Sequence, residues 1–154
     1  MSEEAVAQTI ERDLLQNRRA RFEYELLDHF EAGVALLGAE VKSLRDGKGN
    51  LQESFVEIAA DGAWVLGLHI TPYAFANRNA PDPLRKRRLL LTRTELSKLR
   101  KGVAEKGLTI VPIRIFLKGS LIKIEIALAR GKKLHDKRAS IREREVSRDL
   151  RRGR

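Results

Sequence analysis

The stretch Ile113-Arg-Ile-Phe-Leu-Lys-Gly-Ser-Leu-Ile-Lys-Ile-Glu-Ile-Ala-Leu128 decides the fold. On both sides of Gly119-Ser120, large aliphatic residues occupy every second position, and most of the positions between them are charged. Alternation with a period of two is typical of a half-buried strand, and a Gly-Ser pair is typical of a turn. The stretch therefore predicts two antiparallel strands with one aliphatic face and one charged face.

One long helix is predicted immediately before this pair of strands. The segment Thr92-Arg-Thr94 offers a threonine N-cap, and acidic and then basic residues follow along Glu95–Leu99. This order favours a helix start, because a hydroxyl satisfies free backbone amides and acids suit the first turn. We expect the helix to run to about Lys106 and to end at Gly107.

Further upstream the pattern predicts short strands. Residues 22–26 alternate with a period of two, residues 33–38 form a short apolar run between glycines, and Val41 and Leu44 have helical spacing. Residues 55–58 and 64–70 flank Asp61-Gly62 and predict a hairpin. About six short strands and one long helix, without a βαβ repeat, favour a mainly β protein. A small antiparallel barrel of the OB type is the usual solution among polyanion binders, although the pattern alone fits a β-sandwich equally well.

Composition limits the class of protein. The 154 residues carry 31 Lys and Arg against 21 Asp and Glu, a net charge of +10, and 42% of them are hydrophobic. This length suits one domain, and the excess of positive charge indicates a polyanionic partner. The chain has no cysteine, no apolar run of about 18 residues and no secretory signal pattern. We therefore expect a cytoplasmic protein without a membrane segment or thiolate metal site.

The charge is unevenly distributed along the chain. Residues 1–16 carry a net −3, residues 17–129 carry +6, and residues 130–154 carry +7. The last segment has only four large apolar side chains, too few to offset the entropy of ordering it. We predict a flexible acidic leader over 1–16, a barrel domain over 17–129, and a basic tail over 130–154 that is disordered when free.

No catalytic constellation can be assembled from the sequence. The three histidines His29, His69 and His135 are isolated, and the phosphate-loop, GxSxG and HExxH motifs are absent. Glu31 and Glu40 precede apolar segments but are equally well explained as a cap or a surface charge. We expect a protein that is not an enzyme and binds no metal or cofactor.

Three basic features indicate RNA binding instead. Arginines lead directly into aromatic residues in the segment Asn17–Tyr24, a second run covers Arg85–Arg88, and the third is the basic tail. Arginine neutralises phosphates, and aromatic faces stack on unpaired bases. A basic strand entry and a solvated loop explain the first two features as well. The tail lacks the Trp, Phe and Leu face of a membrane anchor.

Several ordered blocks resemble the SmpB family, whose members bind SsrA RNA, also called transfer-messenger RNA. The match covers about residues 17–145. Its motifs are Asn17-Arg-Arg-Ala-Arg21, Glu31-Ala-Gly33, Gly38-Ala-Glu-Val-Lys-Ser-Leu-Arg45, Ile70-Thr-Pro-Tyr73, Asp82-Pro83, Arg88-Leu-Leu-Leu91, Glu105-Lys-Gly107 and Gly131-Lys-Lys-Leu-His-Asp-Lys-Arg138.

The resemblance implies an OB-fold barrel with a few helices and a non-enzymatic role in trans-translation, the rescue of ribosomes stalled on messages without a stop codon. It implies binding to the tRNA-like end of transfer-messenger RNA and delivery to the ribosomal A site, with an elongation factor engaged through the aminoacylated RNA. The tail then enters the empty mRNA channel beside the decoding centre of the small subunit and becomes helical there.

The resemblance also implies the site residues. Glu31, Leu90 and Thr92 would contact the transfer-messenger RNA, and we expect the arginines of the first basic feature to join them: Arg18, Arg19 and Arg21. The ribosome-contacting set is Phe22, Tyr24, Gly131, Lys132, Lys133, His135, Asp136, Lys137, Arg138, Arg142 and Arg144. The family usually has Asn or His in place of Thr92, and histidine is common in place of Phe22. The alternatives are a constitutive ribosomal structural protein with an OB-like barrel and, with less support, an RNA-processing enzyme.

Overall fold

The computed structural model describes residues 10–73 and 81–132. Within these ranges the helices are α1 (Arg18–Glu23), α2 (Gly38–Arg45) and α3 (Arg93–Lys106). The strands are β1 (Glu11–Gln16), β2 (Tyr24–Val34), β3 (Gly49–Asn50), β4 (Phe55–Ala59), β5 (Gly62–Leu66), β6 (His69–Ile70), β7 (Arg87–Leu90), β8 (Thr109–Lys118) and β9 (Leu121–Gly131). None of the helices in these ranges is long and apolar enough to cross a membrane.

The antiparallel pair predicted around Gly119-Ser120 is confirmed as β8 and β9. Their register runs from Lys118 opposite Leu121 to Thr109 opposite Ala129, with an irregularity after Pro112. The aliphatic face is buried as expected. The other face is not purely charged, because Phe116 is only 1% exposed. The guanidinium carbon of Arg114 covers the Phe116 ring, 4.0 Å from its centroid.

The strands form a closed ring, so the fold is a barrel and not a sandwich. The sheet passes from β8 through β9, β2, β7, β5 and β4, and β4 returns to β8 through the pair Val56 and Ile110. Strand β1 adds to the other half of the same β8 edge. The core inside the ring is aliphatic, with Ile115, Ile124 and Ile126 completely buried. The fold is mainly β and antiparallel, as predicted, and OB-like.

Helix α3 begins and ends where the sequence predicts. Thr92 is its N-cap and forms a reciprocal capping box with Glu95. Gly107 ends the helix in the left-handed conformation, with φ of 64°, which favours glycine because it has no Cβ. Gly102 lies so close to β9 that an added Cβ would stand 2.7 Å from a methyl carbon of Leu128. This close approach sets α3 tightly against the barrel wall.

Four sequence predictions need correction. The acidic leader does not extend to residue 16, because Glu11–Gln16 form β1 on the free edge of β8. The alternation over residues 22–26 is a strand only from Tyr24 on, because Phe22 and Glu23 end α1, which follows the bond of Asn17 to β8 and buries Ala20. The apolar run 33–38 is not a separate strand, because Gly33 and Val34 end β2, residues 35–37 lie in neither a helix nor a strand, and Gly38 begins α2. The tail cannot begin at residue 130, because Arg130 and Gly131 pair with Glu25 and Tyr24.

Candidate nucleic-acid interface

An open groove of about 510 Å³ lies where β2, β7 and the start of α3 meet. It contains the three residues that the resemblance assigned to RNA, Glu31, Leu90 and Thr92. Its other lining residues are Gly33, Asp61, Gly62, Arg88, Leu89, Leu91, Glu95, Leu96 and Lys123. We call it the β2–β7 groove. Pairing of β2 with β7 brings Glu31 to Leu90 and Thr92, which are neighbours in sequence.

Leu90 projects from the end of β7 into solvent across Gly33. The two residues are partners in the β2–β7 register, and Leu90 is 57% exposed. A Cβ at residue 33 would lie 3.2 Å from Cβ and 3.3 Å from Cδ1 of Leu90. Gly33 therefore leaves space for the leucine, which forms an apolar ledge in the groove while its neighbour Leu89 is buried in the core.

Glu31 is held by a lysine from β8. The Nζ atom of Lys118 lies 3.2 Å from both carboxylate oxygens. Both side chains are about one third exposed, at 37% for Glu31 and 36% for Lys118. The carboxylate is thus oriented at the groove surface and has a positive partner beside it.

Lys123 is the site residue that sequence reasoning missed. It stands opposite Gly33 across β2 and β9 and lines the β2–β7 groove. Within the described ranges, no carboxylate forms an ion pair with it. A lysine at an alternate position of an amphipathic strand is indistinguishable from any solvated charge, so only the register reveals it.

The acidic residues of the groove are all engaged by neighbours. Glu95 accepts hydrogen bonds from the Thr92 backbone amide and hydroxyl, at 3.0 Å each. Asp61 accepts from the Trp64 indole at 3.0 Å and from Arg88 at 3.1 Å. The bond from Trp64 is the main reason that the pKa of Asp61 lies below its usual value. As the cap of α3, the Thr92 hydroxyl oxygen accepts from the Glu95 amide at 3.2 Å, and its hydrogen is donated to the Glu95 carboxylate.

Trp64 borders the groove through Arg88 and Asp61. The Nζ atom of Lys86 lies 4.8 Å from the centroid of the indole ring, and the Arg88 guanidinium carbon lies 4.9 Å from it. These distances are those of cation–π contacts. The chain has one tryptophan, so Trp64 is a spectroscopic reporter at the edge of the groove.

The basic run 85–88 does not form a free patch. Arg87 is completely buried, and both Arg85 and Arg87 bond to the buried carboxylate of Glu40. Arg88 forms an ion pair with Asp61. The sequence interpretation of this run as an RNA-binding or solvated loop is therefore wrong for Arg87, because the core-facing side of β7 carries it inward.

A charge cluster covers the outer face of β1, β8 and β9. Arg114 bonds to Glu11, Asp13 and Glu125 at 2.9, 2.6 and 2.8 Å, and His29 Nδ1 lies 2.8 Å from Glu125. Burial lowers the pKa of Arg114, but the three carboxylates outweigh it and raise that pKa above its usual value. Burial raises the pKa of Glu125, but the bonds from Arg114 and His29 leave it lowered.

The arginines of α1 lie apart from the β2–β7 groove. Arg18, Arg19 and Arg21 are exposed, and none of them lines that groove. Arg19 and Tyr24 line a second groove of about 530 Å³, the α1 groove, which also contains Phe55, 46% exposed. The predicted RNA-binding set therefore divides between two separate surfaces.

Phe22 and Tyr24 begin the surface predicted to contact the ribosome. Phe22 is half-buried on α1, and Tyr24 packs against a small apolar cluster between α1 and β8. Gly131 pairs with Tyr24, and the Lys132 amide donates to the Glu23 carbonyl at 3.0 Å. The remaining predicted residues lie outside the described residues: Lys133, His135, Asp136, Lys137, Arg138, Arg142 and Arg144.

A further groove, of about 590 Å³, lies elsewhere, between α3 and residues 28–30 of β2. Lys98, Lys101 and Lys106 line it together with Asp28 and Glu105, so its charges are mixed. In the described part of the chain, no group of three His, Asp or Glu side chains could hold a metal ion.

Comparison with known proteins defines the class of molecule. The family model described as SmpB protein matches residues 14–154. The SsrA-binding protein of Oleidesulfovibrio alaskensis is 52% identical over 139 residues, which cover 90% of this chain and 90% of that protein. The SsrA-binding protein of Deinococcus radiodurans is 52% identical over 140 residues, covering 91% and 98%.

A solved structure agrees with these relatives. A chain of "tmRNA-SmpB: a journey to the center of the bacterial ribosome" superposes with a TM-score of 0.65 at 45% identity, covering 78% of this chain and 85% of that chain. Together with the closed antiparallel barrel and its surface grooves, these similarities define a small OB-like domain of a known family of RNA-associated proteins. The chain belongs to the SmpB family.

Proposed function

We propose that this protein binds SsrA RNA and acts as an adaptor in trans-translation. Its relatives are named SsrA-binding proteins, and the solved neighbour is a tmRNA–SmpB structure on the ribosome. The net charge of +10 suits a polyanionic partner. The observation that carries the proposal is the convergence of Glu31, Leu90, Thr92 and Lys123 in the β2–β7 groove.

The chemistry of the groove suits a structured RNA. Leu90 offers an apolar ledge for a ribose or the face of a base, and Lys123 offers an uncommitted cation for a phosphate. Glu31 accepts hydrogen bonds from base or ribose donors, because a carboxylate has only acceptor atoms. Long-range electrostatic attraction brings the RNA to the protein, and the groove recognises the shape of the RNA.

The α1 side and the tail make a second set of contacts, with RNA phosphates and with the ribosome. Arg18, Arg19 and Arg21 contact RNA phosphates, and Phe22, Tyr24, Gly131 and Lys132 face the decoding centre of the small subunit. The tail continues this contact with the decoding centre through Lys133, His135, Asp136, Lys137 and Arg138. Beyond them it enters the mRNA channel and becomes helical over residues 141–150, which include Arg142 and Arg144. An elongation factor delivers the protein through the aminoacylated RNA.

This function is cytoplasmic and non-enzymatic and uses no cofactor. A constitutive ribosomal structural protein is not favoured, since the relatives are named for SsrA RNA. The two roles differ in stoichiometry. An adaptor is present on few ribosomes and co-purifies with one structured RNA, whereas a structural protein accompanies every ribosome.

Truncation after Lys132 tests the proposal. We expect the truncated protein still to bind the tRNA-like fragment of SsrA RNA, because the barrel and the β2–β7 groove are intact. Peptide tagging on stalled ribosomes should be lost. Normal tagging by the truncated protein would contradict the division of roles, and the absence of SsrA RNA from the sequenced co-purifying RNA would contradict the function.

A further inference from the structure

Glu31 presents a physical problem for an RNA-binding groove. An unpaired carboxylate repels phosphates, and a surface glutamate samples several rotamers, so it recognises a donor poorly. In the structure one residue, Lys118, removes both the repulsion and the rotamer freedom. Its Nζ atom lies 3.2 Å from each of the two carboxylate oxygens.

The pairing is selective among the charges of this face. Glu11 is the register partner of Lys118 across β1 and β8, yet its carboxylate bonds to Arg114 at 2.9 Å. Glu125 stands opposite Glu31 on β9 and also bonds to Arg114, at 2.8 Å. Arg114 therefore occupies the competing acids and leaves Lys118 to Glu31.

Lys118 and Lys123 differ in whether their charges are paired with a carboxylate. Lys118 is committed to Glu31 and does not line the β2–β7 groove, whereas Lys123 lines it and has no acidic partner among the residues described. We propose that Lys118 is a positioning residue, which neutralises Glu31 and holds its carboxylate toward the RNA without touching the RNA itself. This inference rests on the proposed function.

Salt dependence separates the two kinds of lysine. Each phosphate contact contributes about 0.7–0.9 to the slope of log affinity against log salt concentration. Lys123→Gln should lower affinity for the tRNA-like fragment and reduce this slope by about one contact. Lys118→Gln should lower affinity about tenfold, and because this effect acts through Glu31, any accompanying change in slope should disappear in a Glu31→Ala background.

Two further variants complete the experiment. Lys118→Arg keeps a donor pair for the carboxylate and should restore most of the affinity. In a Glu31→Ala background, Lys118→Gln should cause no additional loss, since the residue it positions is gone. Both Lys118 variants should unfold at the wild-type temperature, because an exposed ion pair contributes little to stability.

The outcomes are distinguishable. In the Glu31→Ala background, a slope that falls for Lys118→Gln as it does for Lys123→Gln would overturn the inference and make Lys118 a phosphate contact. Unchanged affinity, or a full additional loss in the Glu31→Ala background, would overturn it too. If the wild-type protein does not prefer the fragment over a scrambled RNA of equal length, the proposed function fails and this inference fails with it.

Discussion

Arg87 donates from Nε to Glu40 Oε2 at 2.7 Å, with the arginine completely buried and the glutamate 2% exposed. Glu40 also accepts from Arg85 and from the Leu37 amide, while Arg87 donates to the carbonyl oxygens of Leu68 and Pro83. The cluster joins α2, the segment after β6 and strand β7. Since β7 carries Leu90 and leads into Thr92, this buried pair supports one wall of the β2–β7 groove.

Removing the charge of Glu40 should destabilise the whole domain. Glu40→Gln leaves Arg87 buried without a counter-charge, and breaking a buried ion pair costs on the order of 3–5 kcal/mol. Urea denaturation followed by circular dichroism measures the loss. Glu25→Gln removes an exposed partner of Arg130, 3.7 Å away, and should change the free energy of unfolding very little. Equal losses for the two variants would contradict a supporting role for the cluster.

The same pair should make the protein sensitive to acid. Burial raises the pKa of Glu40, but the bonds from Arg85, Leu37 and Arg87 outweigh it and leave the pKa below its ordinary 4.5. The unfolded chain therefore binds this proton at higher pH than the folded chain, and stability falls as pH falls. The contribution is complete above about 4.5 and is lost as pH drops through the folded pKa. Denaturation over a pH series should show this slope in wild type and a shallower one in Glu40→Gln.

Filling the space above Gly33 should weaken RNA binding more than stability. Gly33→Ala places a Cβ 3.2 Å from Cβ of Leu90, so Leu90 must shift by a few tenths of an ångström. Because Leu90 is exposed it can move, so we expect a loss of affinity for the tRNA-like fragment with a small change in unfolding temperature. Gly38→Ala is the matched control, since nothing lies within 4 Å of its Cβ. Unchanged affinity in Gly33→Ala would contradict a dependence of RNA binding on the position of Leu90.

Glu31→Ala should weaken RNA binding although it removes a negative charge. A lost hydrogen bond to a base or ribose costs about 1–3 kcal/mol. Nonspecific electrostatics predicts the opposite sign, because a more positive protein binds RNA more tightly at low salt. Titration with the tRNA-like fragment at two salt concentrations decides between them. Tighter binding with an unchanged fold would mean that Glu31 is only a surface charge and not an RNA-binding residue.

Trp64 should report occupation of the β2–β7 groove. Two groove residues, Arg88 and Asp61, contact its indole, so bound RNA that moves either one alters its surroundings. We expect the fluorescence of this single tryptophan to change during a titration with the tRNA-like fragment. Glu31→Ala should reach the same end point at higher RNA concentration. If the emission stays constant while a gel shift reports saturation, the RNA lies away from this groove.

The parts of the fold that depend on neighbours in sequence were predictable. The capping box of Thr92 and the left-handed Gly107 delimit α3 through local hydrogen bonds, and the alternation around Gly119-Ser120 defines β8 and β9. The alternation over residues 22–26 predicted the strand from Tyr24 on but not the helix that includes Phe22 and Glu23. That helix starts after Asn17, which bonds to the β8 carbonyl groups of Ile113 and Pro112.

The candidate site was predictable only by resemblance, and its geometry only from the structure. Residue types alone place Lys123 on an amphipathic strand, Glu31 before an apolar segment and Leu90 in a run of three leucines, and none of these patterns marks a binding residue. The registers Gly33 to Leu90 and Gly33 to Lys123 bring them to one groove.

By itself, the sequence determined a basic, cysteine-free β domain with one well-capped helix, because charge, composition and capping depend on residues near each other in the chain. Barrel closure, the burial of Arg87 on Glu40 and the contact of Lys118 with Glu31 were decided by tertiary structure. The last two residues are separated by 87 positions. Their contact depends on how three strands align, and strand alignment follows from packing of the whole core.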